Sequence, residues 1–307
     1  MTKVLVAAEK PFAATATAQI RKVVEDAGYE FALLEKYTDP ADLLKAVADA
    51  DAMIVRSDIV NKDVLDAAKK LKIVVRAGAG FDNLDLAGCT EKGVVAMNTP
   101  GQNSNAVAEL AIGMMLFHAR GFFNGKSGFE LRGKTLGLHA YGFVGKSVAT
   151  IARGLGMTVY AFDPFVAKEV IEKDGVIPVD SAEELYSKCQ YVSLHMPANA
   201  QTKNSINFSL LSKMPTPAIL VNTARAEVIN EEDLVKMFAE RKDFAYLSDV
   251  APVCKPELDE KFAGRFFFTP KKMGAQTEEA NTNAGVAAAV QIQNFFEKGD
   301  RKFQVNK

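Results

Sequence analysis

The stretch KTLGLHAYGFVGKSVATIARGLGMTVYAFDP, residues 134–164, decides the architecture. It reads as an apolar strand, a tight turn, an amphipathic helix, a second glycine turn, a second strand and then an acid. The first turn runs Ala140-x-Gly142-x-x-Gly145, one alanine away from G-x-G-x-x-G. Gly142 would let the backbone approach a pyrophosphate, and Gly145 would let the helix pack closely on the strand. The helix start at Phe143 and Val144 offers free N–H groups and a positive dipole end to an anion. Alanine at position 140 implies ordinary φ/ψ there, a departure from the pattern. Asp163, followed by Pro164, ends the second strand, where a carboxylate can accept bonds from ribose hydroxyls and repel a 2′-phosphate. The stretch therefore points to NAD; the bland alternative is a βαβ turn with no ligand. His139 lies inside the strand and reads as a neutral core histidine.

Outward from this unit the same alternation continues. Strands are expected at Val4–Ala8, Phe31–Leu34, Met53–Arg56, Ile73–Arg76 and Val94–Met97. Further ones follow at Thr135–Ala140, Thr158–Phe162, Tyr191–His195, Ile219–Asn222, Ala245–Val250 and Phe266–Thr269. Most are apolar on both faces, as strands of a covered parallel sheet should be. Segments between them, such as NEEDLVKMFAERK, carry helical spacing and polar caps, so the class is α/β with right-handed crossovers. Two longer Ala-rich helices, Ser104–Ala119 and Thr277–Phe296, have the look of connectors between two lobes. A chain of 307 residues is long for one core, which also favours two domains.

Composition narrows the function classes. With 48% hydrophobic and 24% charged residues and a net charge of −1, the chain is ordinary for a globular protein. That balance argues against a nucleic-acid or membrane-surface binder, though a small anionic substrate needs only local positive charge. No apolar run reaches the ~20 residues of a membrane span. The N-terminus enters KVLVAA without signal-peptide regions, and Cys89, Cys189 and Cys254 show no C-x-x-C spacing. A cytoplasmic protein with neither a disulfide framework nor a metal site is expected.

Taken together, a series of motifs resembles the D-isomer-specific 2-hydroxyacid dehydrogenases over nearly the whole chain. VRSDIVNKDVLDAAKKLKIVVRAGAGFDNLDL (residues 55–86) is followed, in the family's order, by NTPGQNSNAVAEL, YGFVGKSVA, LHMP, VNTARAEVIN, SDV and TPKKMGAQTEEA. The resemblance implies two Rossmann-like doubly wound domains with the active site in the cleft between them. Residues 1–98 plus 285–307 would form the substrate domain, and 99–284 the NAD domain. It implies that Arg225 grips the substrate carboxylate and carbonyl, a task suited to a planar guanidinium fork. Arg56 and Ser57 would hold the phosphate of a phosphorylated 2-hydroxy acid. Ala79, Gly80 and Asn103 would line the substrate, with the backbone of the glycine-rich loop meeting its carboxylate. His195, Met196, Pro197, Thr202, Thr223, Ala224, Gly274 and Ala275 match cofactor-lining positions, and Asp249 matches the residue that bonds the nicotinamide amide. A homodimer is implied too. The segment from Arg120 to Lys134 is shorter than the family's usual loop and lacks its tryptophan, so altered contacts are expected. The chain ends soon after the last helix, so no C-terminal regulatory domain is expected.

One departure bears on the chemistry. The family places a histidine after Thr-Pro, paired with a glutamate; here Thr269-Pro270 is followed by Lys271 and Lys272, and Cys254 stands where the glutamate belongs. Counting from Thr-Pro the replacement is Lys271; counting back from Gly274-Ala275 it is Lys272. Hydroxyacid oxidation needs a group to take the hydroxyl proton. A lysine can serve if its amine is partly neutral, which burial, the Arg225 charge and the helix start at Thr277 would favour. The paired loss of histidine and glutamate suits a working lysine, with Lys272 preferred. Glu257 could substitute for the missing glutamate, but CKPELDEK reads more naturally as a solvated loop. The alternatives are a glyoxylate/hydroxypyruvate reductase and a catalytically silent NAD-binding regulatory protein.

Overall fold

The computed structural model describes residues 1–306. Its contacts divide the chain into two compact units, one of Met1–Asn103 with the segment from Gln276 onward, the other of Ser104–Ala275.

The first unit holds strands β1 (Lys3–Ala8), β2 (Glu30–Glu35), β3 (Ala52–Val55), β4 (Ile73–Arg76) and β5 (Val95–Asn98). They form a parallel sheet in the order β2-β1-β3-β4-β5. Covered strands such as β3 are buried at every position, as the unbroken apolar run Ala-Met-Ile-Val requires. β2 lies at the sheet edge and is only partly buried, so the expectation of burial on both faces fails there. The helix Glu278–Lys298 starts where the Thr277 side chain accepts from Ala280 N, carries two glutamates in its first turn and stops at Gly299 in the left-handed region. It packs against the helix Ala14–Asp26. The chain then returns to the edge of β5 through an antiparallel bridge between Met97 and Gln304. There Asn306, 4% exposed, accepts from Ala96 N and donates to Val94 O.

The second unit holds β6 (Thr135–His139), β7 (Thr158–Phe162), β8 (Ile177–Pro178), β9 (Tyr191–Leu194), β10 (Ile219–Asn222), β11 (Ala245–Ser248) and β12 (Phe266–Phe268). All are parallel, in the order β12-β11-β10-β9-β6-β7-β8. All eleven expected strands are present, within a residue or two at their ends. β8 is the addition: two residues, one a proline, on the sheet edge leave little pattern to read. The chain reverses direction across the sheet between β6 and β9, and such a switch point opens a crevice at the carboxyl ends of the strands. The helix Ser104–Ala119 packs on the helix Phe143–Gly154 over a core that includes Tyr141, Leu138 and Met115.

Among the described residues no helix is long and apolar enough to cross a membrane. The segment CKPELDEK is a short helix, Lys255–Lys261, and not a loop, and within it Glu257 pairs with Lys261 Nζ at 2.8 Å. That i,i+4 pair commits the glutamate locally.

Candidate active site

The glycine turn sits at the switch point of the second unit. Gly142 is the N-cap of the helix Phe143–Gly154, and no side chain caps that helix. Its first N–H groups therefore remain available to an anion, beside a Phe143 that is 58% exposed and a half-buried Val144. A Cβ on Gly142 would meet nothing within 4 Å, whereas one on Gly145 would stand 2.6 Å from the Ala140 carbonyl oxygen. The two glycines thus serve different ends: one leaves room above the turn, the other lets helix and turn touch. The expectation for Ala140 is overturned, because it adopts φ +83, the left-handed side where glycine is at ease. The turn's geometry imposes this on a residue with a Cβ. Asp163 braces the same turn: its Oδ2 accepts from Tyr141 N at 2.7 Å and its Oδ1 from Phe165 N at 2.8 Å. Pro164 beside it is exposed.

At the carboxyl ends of β9 and β10 lie polar atoms without protein partners. His195 Nε2 and Thr223 Oγ1 are both buried with no hydrogen bond, a costly condition unless a ligand completes it. His195 packs against Gly145, and burial pushes its imidazole down to about 3. His139, bonded through Nδ1 to Tyr186 Oη at 3.3 Å, is pushed down to about 4 by burial. Both rings are neutral at physiological pH, as expected for His139. Met196 is buried and Pro197 exposed; Thr202 Oγ1 donates to the Pro197 carbonyl and fixes that turn. An uncapped helix end, an acid just past β7 and unpartnered polar atoms just past β9 and β10 together fit NAD.

The third group joins three loops of this unit. Asn222, 3% exposed, closes β10: its Oδ1 accepts from Ala224 N at 2.9 Å and its Nδ2 donates to Arg225 O at 2.9 Å. Arg225 is exposed, with one guanidinium N–H on the Ala224 carbonyl. The same carbonyl accepts from Lys272 Nζ at 3.1 Å, which brings the lysine turn onto the arginine loop. Lys271 and Lys272 are both exposed, so the burial expected to favour a neutral amine is missing. Asp249 is buried, and its carboxylate accepts from Thr269 Oγ1, Met273 N and Gly274 N. Gly274 is buried and Ala275 half-buried behind it. Cys254 supplies no carboxylate: burial and the Glu231 charge push its thiol up to about 12. Glu231 instead accepts from the backbone N–H groups of Val253 and Cys254.

In the first unit, Arg56 is half-buried and already engaged. Its guanidinium donates to Lys10 O at 3.1 Å, Pro11 O at 2.8 Å and Asn281 Oδ1 at 2.7 Å, and lies over the Phe12 ring. Ser57 is exposed. Ala79 is exposed with its carbonyl held by Asn98 Nδ2; Gly80 and Asn103 are half-buried. Arg76, at the end of β4, donates from Nε to Arg56 O at 3.0 Å and lies under Gly78. Asn222 and Arg76 were not among the residues singled out from sequence. Their only signals were the polar residue closing each apolar strand run, in VNTAR and VVRAG.

Comparison with known proteins places this geometry in a class. Residues 112–270 match the D-isomer-specific 2-hydroxyacid dehydrogenase NAD-binding domain. A crystal structure of NAD+-bound 3-phosphoglycerate dehydrogenase from Entamoeba histolytica superposes with a TM-score of 0.86 and 48% identity, covering 100% of this chain and 99% of that one. The chain belongs to the D-isomer-specific 2-hydroxyacid dehydrogenase family, and its NAD-binding domain is the second unit's sheet and helices. Among curated relatives, D-3-phosphoglycerate dehydrogenase of Methanocaldococcus jannaschii is 37% identical over 83% of this chain and 51% of its own length. Hydroxypyruvate reductase of Thermotoga maritima is 36% identical over 86% of this chain and 90% of its own. The chain spans about half the length of the curated phosphoglycerate dehydrogenases it matches.

Proposed function

We propose that this chain is an NAD-dependent D-3-phosphoglycerate dehydrogenase, oxidising D-3-phosphoglycerate to 3-phosphohydroxypyruvate, the opening step of phosphorylated serine synthesis. NAD supplies the hydride acceptor for the substrate's C2. The observation that carries the reading is the Lys272 Nζ bond to the Ala224 carbonyl, which puts an amine beside the loop that ends in Arg225. Arg225 holds the carboxylate and polarises the carbonyl oxygen through its fork. Lys272 takes the hydroxyl proton at Nζ in oxidation and returns it in reduction. Lys271 adds positive charge for the phosphate. Exposure of the lysine asks for the bound substrate itself to exclude water from Nζ. The protein acts as a cytoplasmic homodimer in this reading.

A second reading, hydroxypyruvate reductase, draws support from Arg56, whose three donations, to Lys10 O, Pro11 O and the helix residue Asn281, compete with a substrate phosphate. The deciding experiment compares kcat/KM for 3-phosphoglycerate with glycerate, and phosphohydroxypyruvate with hydroxypyruvate, in wild type, Lys271→Ala and Lys272→Ala. The proposal expects the phosphorylated substrates to win by ~10²-fold or more, and Lys272→Ala to lose at least ~10²-fold in kcat. Equal use of hydroxypyruvate would favour the second reading. NAD binding with no turnover of any 2-hydroxy acid would mean a regulatory protein.

A further inference from the structure

The turn bearing the two lysines is held by a buried carboxylate. Asp249 is 2% exposed, and its Oδ1 accepts from Thr269 Oγ1 at 3.0 Å and from Met273 N at 2.9 Å. Its Oδ2 accepts from Gly274 N at 2.8 Å. Two of the three donors are therefore the backbone N–H groups immediately after Lys272. Gly274 leaves no slack: a Cβ there would stand 2.9 Å from Asp249 Oδ2 and 3.3 Å from Val107 Cγ2. On the other side Asp249 N donates to Asn222 O at 3.0 Å, and Ser248 Oγ donates to the same carbonyl at 3.1 Å. Asn222 in turn sets the loop Thr223–Arg225. The Lys272 Nζ bond to Ala224 O closes the circuit.

We propose that Asp249 is a positioning residue: by fixing the turn Pro270–Gly274 against the Asn222 loop, it holds Lys272 and Arg225 at one spacing. The inference rests on the function proposed above. A lysine side chain has four rotors, so its aim depends on where its backbone is clamped. A carboxylate paired with Nζ would hold the amine charged. A carboxylate that accepts from the two backbone N–H groups after Lys272 orders the backbone from which the lysine springs. Asp249 thereby orders the turn that carries the lysine.

The test compares full-length wild type, Asp249→Asn and Thr269→Val. Asparagine must turn an NH2 toward Met273 N–H or Gly274 N–H, donor against donor, whereas Thr269→Val removes one bond and keeps the carboxylate. Amide hydrogen exchange across residues 270–276, without ligand, should quicken about 10-fold or more in Asp249→Asn and less in Thr269→Val. NADH affinity, by fluorescence, should stay within about 3-fold in Thr269→Val, which keeps the carboxylate, while kcat falls about 10-fold or more in Asp249→Asn. Unchanged exchange in both variants overturns the proposal, as does quickened exchange with wild-type kcat. Weakened NADH binding in Asp249→Asn with unchanged exchange would overturn the positioning role and leave Asp249 only the nicotinamide contact expected of it. If Asp249→Asn does not fold, Thr269→Val decides by the same readings. If wild type turns over no 2-hydroxy acid, the proposed function fails, and exchange alone judges whether Asp249 sets the turn.

Discussion

Substituting alanine at each of the two turn glycines should separate folding from cofactor binding. At Gly145 the new Cβ would lie 2.6 Å from the Ala140 carbonyl oxygen, against the 3.0 Å that real Cβ atoms keep. Helix and turn must part by at least ~0.4 Å, an overpacking cost of about 2–3 kcal/mol in a close-packed site. Helix propensity and reduced unfolded-state freedom return about 1 kcal/mol. The net loss of about 1–2 kcal/mol lowers the melting temperature of this unit by roughly 2–8 °C. At Gly142 the Cβ meets nothing within 4 Å and φ is −78, so no strain arises. The weaker N-cap and the stiffer unfolded chain offset each other to within about 0.5 kcal/mol. Yet that Cβ occupies the space a pyrophosphate needs, so NADH affinity should fall about 10-fold or more. Calorimetry and NADH fluorescence titration measure both quantities. Gly145→Ala melting within 1 °C of wild type, or Gly142→Ala binding NADH normally, would refute the division of roles.

Three further outcomes are expected. Because the folded pKa of His139 is about 4 and the unfolded ring titrates near 6.5, stability is complete above ~6.5 and falls as pH drops toward 4. His139→Gln should remove about 3 kcal/mol of that acid loss, read from urea unfolding at pH 7 and pH 4; an undiminished loss would locate the acid sensitivity elsewhere. Ala140→Gly should relieve a φ of +83 and gain about 0.5–1 kcal/mol net, with NADH affinity within 2-fold; a lower urea midpoint would contradict the strain. Asn306→Ala strips partners from buried Ala96 N and Val94 O and should cost about 1–3 kcal/mol, whereas an unchanged midpoint would show the tail to be ornamental to the sheet.

What the sequence made legible follows from period and spacing. Strand runs such as ILVN and AMIV are apolar without interruption because both faces are covered, and nothing local competes with that signal. The glycine turn was legible as a motif, while the backbone of Ala140 was not: its φ is set by the turn closing on Asp163 and Gly145, not by its own preference. Exposure of Lys271 and Lys272 and the engagement of Arg56 by Lys10, Pro11 and Asn281 are long-range facts that no local pattern carries. Asn222 reads in sequence as one polar residue closing a strand, and only folding places it between the arginine loop and β11. The Glu257 segment was misjudged because a charged run of this length suits a loop or a helix equally, and the i,i+4 pair tips it to helix.

The first unit is built from residues on both sides of the second, with 210 positions between Ala96 and the Asn306 side chain that accepts from it. The second unit is one unbroken run, Ser104–Ala275. During synthesis the NAD-binding unit can therefore close its own sheet while the strands of the first wait, their β5 edge bare, for the helix Glu278–Lys298 and the residues through Asn306 to emerge. Order of manufacture is thus written into connectivity: the cofactor unit is complete early, and the residues that follow it act as the latch on the other.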